Sequence, residues 1–314
     1  MSLWQRWVQL LDRREAALPL ALVRMAAGLI VTLHISRIWL RGIHLWAWVD
    51  DDFGGLRNLS AGFLDRFGGL TPENVQLVMA FTIVAAVAMF LGLGTRVATL
   101  ATLLSYGYLA DLNGHAGGSY DELVKNTLFL LFLSGCGRAL SLDERIRPTD
   151  GMTTAWPRWL MIFQLVLMYW MTALQKVSSS WVPIAESDAL FYILQQPTWQ
   201  RFPLPLESLA TIYPLTRLAT FGVWLWEQSA PLLLLAYWYR ETHERPGRLR
   251  ALFNRYDFRA IYLFFGLGMH LGIEALMEVG PFSFASLTLY FACFHPDEWS
   301  RLRQRLVPAR GSGR

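Results

Sequence analysis

Apolar residues in this chain gather in unbroken runs of about 16 to 24 residues instead of alternating with polar ones. A helix rises 1.5 Å per residue, so a run of that length covers the ~30 Å hydrocarbon layer of a bilayer. The pattern predicts eight membrane helices, over 18–40, 75–95, 97–112, 123–137, 158–177, 217–240, 257–279 and 281–296. The third, fourth and eighth are the shortest. The longest polar stretches, 41–74 and 178–216, are rich in Gly, Pro and aromatic residues, which fits ordered lids or interfacial helices. The fold expected is all-α and polytopic, one transmembrane domain over residues 1–314. No internal repeat or inverted symmetry of the transporter kind is visible.

Composition agrees: 54% of residues are hydrophobic and 17% charged, and mean hydropathy is positive, beyond what water-soluble domains of this length carry. Arginines set the orientation. With a cytoplasmic N-terminus the inner segments hold nineteen, and the outer ones only Arg41, Arg57, Arg66 and Arg201. Positive residues stay inside, and moving the register by one span reverses the split. Both termini are therefore expected inside the cell, in a plasma or bacterial inner membrane. The lipid bilayer accounts for the net charge of +4 without a nucleic-acid partner. The first run contains Arg24 and no small-residue cleavage site follows it, so it reads as an uncleaved insertion signal. Cys136 and Cys293 fall near inner span ends, where a disulfide is not expected.

Only two of the 28 basic residues are lysines, Lys125 and Lys176, and both lie inside apolar segments. Arginine keeps its proton in proteins, whereas a desolvated lysine can give its proton up. Both lysines are expected at the outer face, Lys125 opening the fourth span and Lys176 closing the fifth. Asp50, Asp51, Asp52, Asp111, Asn113, His115, Asp121, Glu122 and Asn126 gather at the same level. Two readings of each lysine stand: a base in a pocket, or a snorkelling anchor with its ammonium at the headgroups. For Lys176, Thr172 and Tyr169 at i−4 and i−7 favour a face turned into protein, and Trp181 is an interface anchor or lid.

Other polar groups lie within spans. His270 and Glu274 stack at i and i+4, with Glu278 a turn further out, and the first two are expected as a buried hydrogen-bonded pair; no HExxH, CxxC or di-carboxylate pattern completes a shell, so no metal is assigned. Glu227, followed by Gln228, Ser229 and the helix-bending Pro231, is a candidate for a buried polar network, with Arg24 or His34 as partners.

These residues together resemble the integral membrane part of vitamin K-dependent gamma-carboxylases and their bacterial relatives, the horizontally transferred transmembrane (HTTM) family, over about residues 12–306. The likeness lies in Arg24 through Gly28, Leu-Gly-Leu-Gly-Thr-Arg at 91–96, Ser141-Leu142-Asp143, Ala-Leu-Gln-Lys176-Val-Ser-Ser-Ser-Trp181, Trp226-Glu227, His270 and Pro296-Asp-Glu-Trp299. The resemblance implies that Lys176 deprotonates a quinol such as vitamin K hydroquinone at an extracytoplasmic site, with Lys125, Glu227, His270, Tyr169, Tyr120 and Arg24 in support. Where the carboxylases carry an Asn-His pair before the fourth span, this chain has Ser119 and Tyr120. Only about fifteen residues follow Trp299, so no protein-gripping lumenal domain is expected. Other bacterial relatives resemble a sporulation-delaying-toxin maturation protein, which implies the rival reading: a non-catalytic membrane partner for export or maturation of a small peptide. A quinone or lipid ligand follows from the first reading, a peptide or small-protein partner from the second.

Overall fold

A short amphipathic helix, α1 (Leu3–Asp12), capped by Ser2, leads through strand β1 (Arg14–Ala16) into α2 (Leu18–Leu40). Helix α2 coincides with the first predicted span. The computed structural model describes residues 2–56, 58–182 and 186–306. Arg57, Arg310 and Arg314 of the charge count lie outside the described residues.

After α2 come α3 (Ile43–Ala47), α4 (Pro72–Leu91), α5 (Thr95–Leu112), α6 (Ser119–Leu133) and α7 (Leu142–Ile146). Strand β2 (Met152–Thr154) pairs antiparallel with β1, Glu15 opposite Thr153. Helices α8 (Trp156–Gln175), α9 (Ala189–Ile193), α10 (Leu206–Thr211), α11 (Tyr213–Gln228) and α12 (Ala230–Glu241) follow. Last are α13 (Arg248–Arg255), α14 (Phe258–Leu276), α15 (Phe282–Thr288), α16 (Tyr290–Cys293) and α17 (Pro296–Leu306).

Among the described residues, three helices are long and apolar enough to cross a membrane by themselves: α2, α4 and α14. The other predicted spans differ for local reasons. The third, α5, carries Thr95, Thr99, Thr102 and Ser105 on its buried side. The sixth is broken: Gln228 ends α11, Ser229 makes the joint, and α12 begins with Pro231 in its first turn. Proline lacks the amide that would continue the ladder and crowds the preceding turn. The eighth divides into α15 and α16.

The chain forms two compact units, one from Met1–Met161 with Phe284–Arg314 and the other from Ile162–Ser283. In the first, α2, α4, α5 and α6 pack in sequence order. Gly28 lets α2 approach α4 backbone to backbone, since a Cβ there would lie 2.9 Å from the Ala86 carbonyl oxygen. Small residues at such a contact are how membrane helices gain close packing without a hydrophobic drive. Thr82, Ala85, Ala86 and Met89 of α4 face inward, while Leu77, Phe81 and Val84 lie exposed at i, i+4 and i+7. The outer face is thus large and apolar, and the inner face mixes small and hydroxyl-bearing residues with Val75, Met79 and Met89. The ribbon end of this unit is tied by Arg158, whose Nε and Nη2 fork onto the buried Glu15 carboxylate at 2.7 and 2.9 Å.

Candidate functional site

Helix α8 ends at Gln175, and Lys176 is the first residue beyond it, its amide on the Ala173 carbonyl. Its ammonium turns toward protein. Nζ donates to Glu227 Oε2 at 2.5 Å and sits 4.5 Å from the centre of the Trp181 ring. The side chains are 15% and 7% exposed, Lys176 and Glu227 respectively. Glu227 stands in the last turn of α11, beside the Ser229–Pro231 break. The carboxylate expected to need a partner has one, and it is Lys176 in place of Arg24 or His34.

Trp226, the neighbour of Glu227, extends this cluster. Its ring stacks on Tyr262 at 4.8 Å and meets Tyr169 at 4.5 Å, and its Nε1 donates to the Tyr262 carbonyl. The Tyr169 hydroxyl shares a 2.7 Å hydrogen bond with His270 Nε2. Tyr169 is thus inside, as its spacing from Lys176 suggested. Thr172 is not: it is exposed, and its hydroxyl closes back on the Met168 carbonyl. The expected His270–Glu274 pairing is replaced by two others, since Glu274 Oε1 takes a 2.6 Å hydrogen bond from Arg201 in the 178–216 loop. One turn of α14 brings the two residues to one face but does not aim them at each other. The whole constellation, Lys176, Glu227, Trp181, Trp226, Tyr169 and His270, belongs to the second unit.

Lys125 lies in the first unit, in the second turn of α6. Its ammonium is held by Asp111 at 2.8 Å and Glu122 at 2.7 Å. Both carboxylates are exposed, while the Lys125 side chain is 18% exposed, so this lysine is a half-buried cation in an acidic bracket. Tyr120 meets the His34 ring edge-on at 5.4 Å, and His34 also neighbours Tyr106. Asp121 accepts from the Tyr106 hydroxyl and from the Gly118 amide, fixing the start of α6.

Arg24 has a structural task. It is fully buried, with Nη1 donating to the Met89 and Phe90 carbonyls at the end of α4 and Nη2 to the Leu140 carbonyl at 2.6 Å. A helix C-terminus presents unsatisfied carbonyls and partial negative charge, which a guanidinium meets on both counts. Gly92 ends α4 at φ +68°, and its carbonyl accepts from the Asp143 amide. The Asp143 carboxylate in turn accepts from the amides of Gly94 and Thr95 at the start of α5. Partial burial would raise the Asp143 pKa, but these amides and the Arg24 charge outweigh it and hold it below the usual carboxylate range. A depressed folded pKa means this clasp keeps its full contribution above the ordinary carboxylate pKa of about 4, and loses it only as pH falls through the lower value. Gly92→Ala is expected to be severe. An added Cβ would lie 2.3 Å from Ser141 Cβ and 2.4 Å from Arg24 Nη1, in a backbone region that already disfavours side chains. A loss of several degrees or more in thermal midpoint checks it, and wild-type stability would refute it.

Among the described residues, Asp50, Asp51 and Asp52 bring three carboxylates within metal-binding distance of one another. The Asp50 carboxylate is already engaged by the Leu59 amide at 2.7 Å.

The HTTM domain family matches residues 13–236, and the chain belongs to that family. No solved structure matches it. With α2, α4 and α14 long and apolar enough to cross a bilayer, it is a membrane protein of the HTTM family. The match contains Arg24, Gly92, Asp143, Lys176 and Glu227. All five lie in motifs that carried the resemblance, and they divide into two groups: a clasp at helix ends in the first unit and an amine–carboxylate pair in the second. The Arg158–Glu15 fork and the Tyr106–Asp121 bond escaped sequence reading. A charged residue next to a span end reads as loop until its partner, over a hundred residues away for Glu15, is known.

Proposed function

We propose that this HTTM-family protein is an integral-membrane enzyme acting on a quinol-like or lipid-borne hydroxyl, with Lys176 as the base at an extracytoplasmic site. One observation carries the reading. The Lys176 side chain is only 15% exposed and its amine lies against a carboxylate and an indole, which supports a reactive group over a snorkelling anchor. Trp181 lies over the amine, and Trp226 and Tyr169 pack on each other nearby, an aromatic environment that suits a planar ring.

The pair also solves a difficulty for a lysine base. An ammonium cannot accept a proton until it has released one, and Glu227 is within reach to take it. A proton drawn from a substrate hydroxyl then ends on Glu227, and the Lys176 ammonium remains beside the oxyanion to stabilise it. A bound quinol would supply that hydroxyl, and its two-electron oxidation to the quinone would need dioxygen as the electron acceptor. His270 and Tyr169 are assigned to the wall of this site, and Arg24 to holding the scaffold. Tyr120 and Lys125 are proposed as a second polar group at the outer face.

The membrane arrangement proposed is eight spans with both termini cytoplasmic, in a bacterial inner membrane, as a single domain. The arginine split supports the orientation, and the family match, running through both compact units, supports one domain. Cysteine at Arg145 or Arg248 should be shielded from an impermeant thiol reagent in intact cells, and at the exposed Glu207 it should react; the reverse pattern would end this topology.

The activity test uses protein in lipid nanodiscs, supplied with vitamin K hydroquinone in air and followed by chromatography. Wild type should consume the quinol faster than autoxidation. Lys176→Arg keeps the charge and the ion pair but cannot deprotonate, so it should fold with an unchanged thermal midpoint and lose that excess rate. An arginine variant as fast as wild type would sink the base assignment.

A further inference from the structure

Helix α13 is only eight residues long, yet its two sides have opposite characters. One side is fixed to the end of α12. Phe253 meets Tyr239 edge-on at 5.4 Å, Asn254 donates to the Tyr239 carbonyl, and Arg250 donates to the Thr242 hydroxyl and the Arg245 and Pro246 carbonyls. The other side presents Leu249, Leu252 and Tyr256, which are 61%, 50% and 58% exposed. Their spacing of i, i+3 and i+7 puts them on one stripe. Arg248 and Arg255, both exposed, border that stripe. A stripe of large apolar groups left open beside guanidinium groups matches a surface that is apolar beneath and anionic on top.

The position of the helix selects the partner. Arg255 ends α13, and α14, long and apolar enough to cross a membrane, begins at Phe258. Two intervening residues span at most ~10 Å, so α13 is held at the level where α14 leaves the bilayer. We propose that α13 is an in-plane anchor that binds anionic phospholipid. Leu249, Leu252 and Tyr256 enter the acyl boundary, and Arg248 and Arg255 engage headgroup phosphates, for which the planar guanidinium is suited. The inference needs only the membrane assignment and stands apart from the catalysis proposed above.

Two measurements on the full chain in nanodiscs test it, in phosphatidylcholine alone and with about one-third phosphatidylglycerol, a composition chosen to give a strongly anionic surface. Spin labels are placed at Leu252→Cys and, about 100° round the helix and off the apolar stripe, at the exposed Ala251→Cys; the native Cys136 and Cys293 are buried and set the background. The Leu252 label should be relaxed by oxygen and shielded from a water-soluble nickel complex, and the Ala251 label the reverse. Equal accessibility at both sites overturns the in-plane placement and would point to a protein covering this face. Second, wild type should immobilise spin-labelled phosphatidylglycerol in preference to phosphatidylcholine. The Arg248→Gln/Arg255→Gln variant, altered only at exposed positions, should lose up to about fivefold of that preference per arginine. An unchanged preference overturns the anionic-lipid assignment.

Discussion

Lys176→Met should cost about 3–5 kcal/mol of stability, towards the lower end because the amine retains some exposure. The loss comes from what is left behind. Glu227 is 7% exposed, and without the ammonium its carboxylate would sit unmatched beside the aromatic wall of Trp226 and Tyr169. Removing both charges should therefore restore most of the loss: Lys176→Met/Glu227→Leu should be more stable than either single variant, since a buried pair replaced by apolar groups is often neutral. Glu227→Gln should be milder than Glu227→Leu, because the amide still offers Lys176 an acceptor. Thermal retention of the monodisperse peak in detergent measures all four. If the double variant is no better than Lys176→Met alone, the two side chains are not coupled and the site as described is wrong. The comparison with Lys176→Arg separates stability from chemistry: arginine keeps the pairing, so any loss of turnover there belongs to the proton.

The sequence made some of this legible and hid the rest for physical reasons. Span 18–40 was readable to the residue because Pro19 at its start and the polar Arg41-Gly42 at its end are local signals. The break at Ser229 was only half readable. Pro231 announced a bend, but whether a proline bends or divides a helix depends on what replaces its missing amide bond. Lys176 and Glu227 each stood out as a charge in an apolar run, because burying charge is costly wherever it happens. Their pairing did not, since 51 residues separate them and nothing local encodes which distant group answers a charge. The same blindness assigned Arg24 as a partner for Glu227. An arginine in a span demands partners of opposite polarity, and main-chain carbonyls serve as well as a carboxylate, yet carbonyls leave no mark in a sequence. His270 shows the limit of helical spacing as a guide. Glu274 lies one turn away on the same face, but Tyr169 on another helix takes the imidazole.

Arg24→Met is the substitution expected to harm the fold most, by about 3–6 kcal/mol, from losing two short charge-assisted hydrogen bonds worth ~1.5–3 kcal/mol each. Those bonds run to the Met89 and Leu140 carbonyls at 2.7 and 2.6 Å, and they join three chain segments at a single buried point: the first span, the last turn of α4, and the segment leading into α7. Arg24→Lys should recover only part of the loss. A single ammonium nitrogen cannot sit where Nη1 and Nη2 both sit, so one of the two carbonyls stays unmet. Limited proteolysis between Ser134 and Asp150 should report the damage directly, because Leu140, held at φ +47°, depends on the guanidinium for its carbonyl's only short charged contact among the described residues. A strained backbone of this kind persists when its surroundings over-determine it, and the Arg24 hydrogen bond to its carbonyl is one of those constraints. If Arg24→Lys matched wild type in both thermal midpoint and protease resistance, the carbonyl clasp would not be what holds this end of the first unit together. The arginine would then have to be reconsidered as a charge kept for chemistry. If instead stability falls while quinol turnover per folded molecule stays constant, Arg24 is scaffold and the chemistry rests with Lys176 and Glu227.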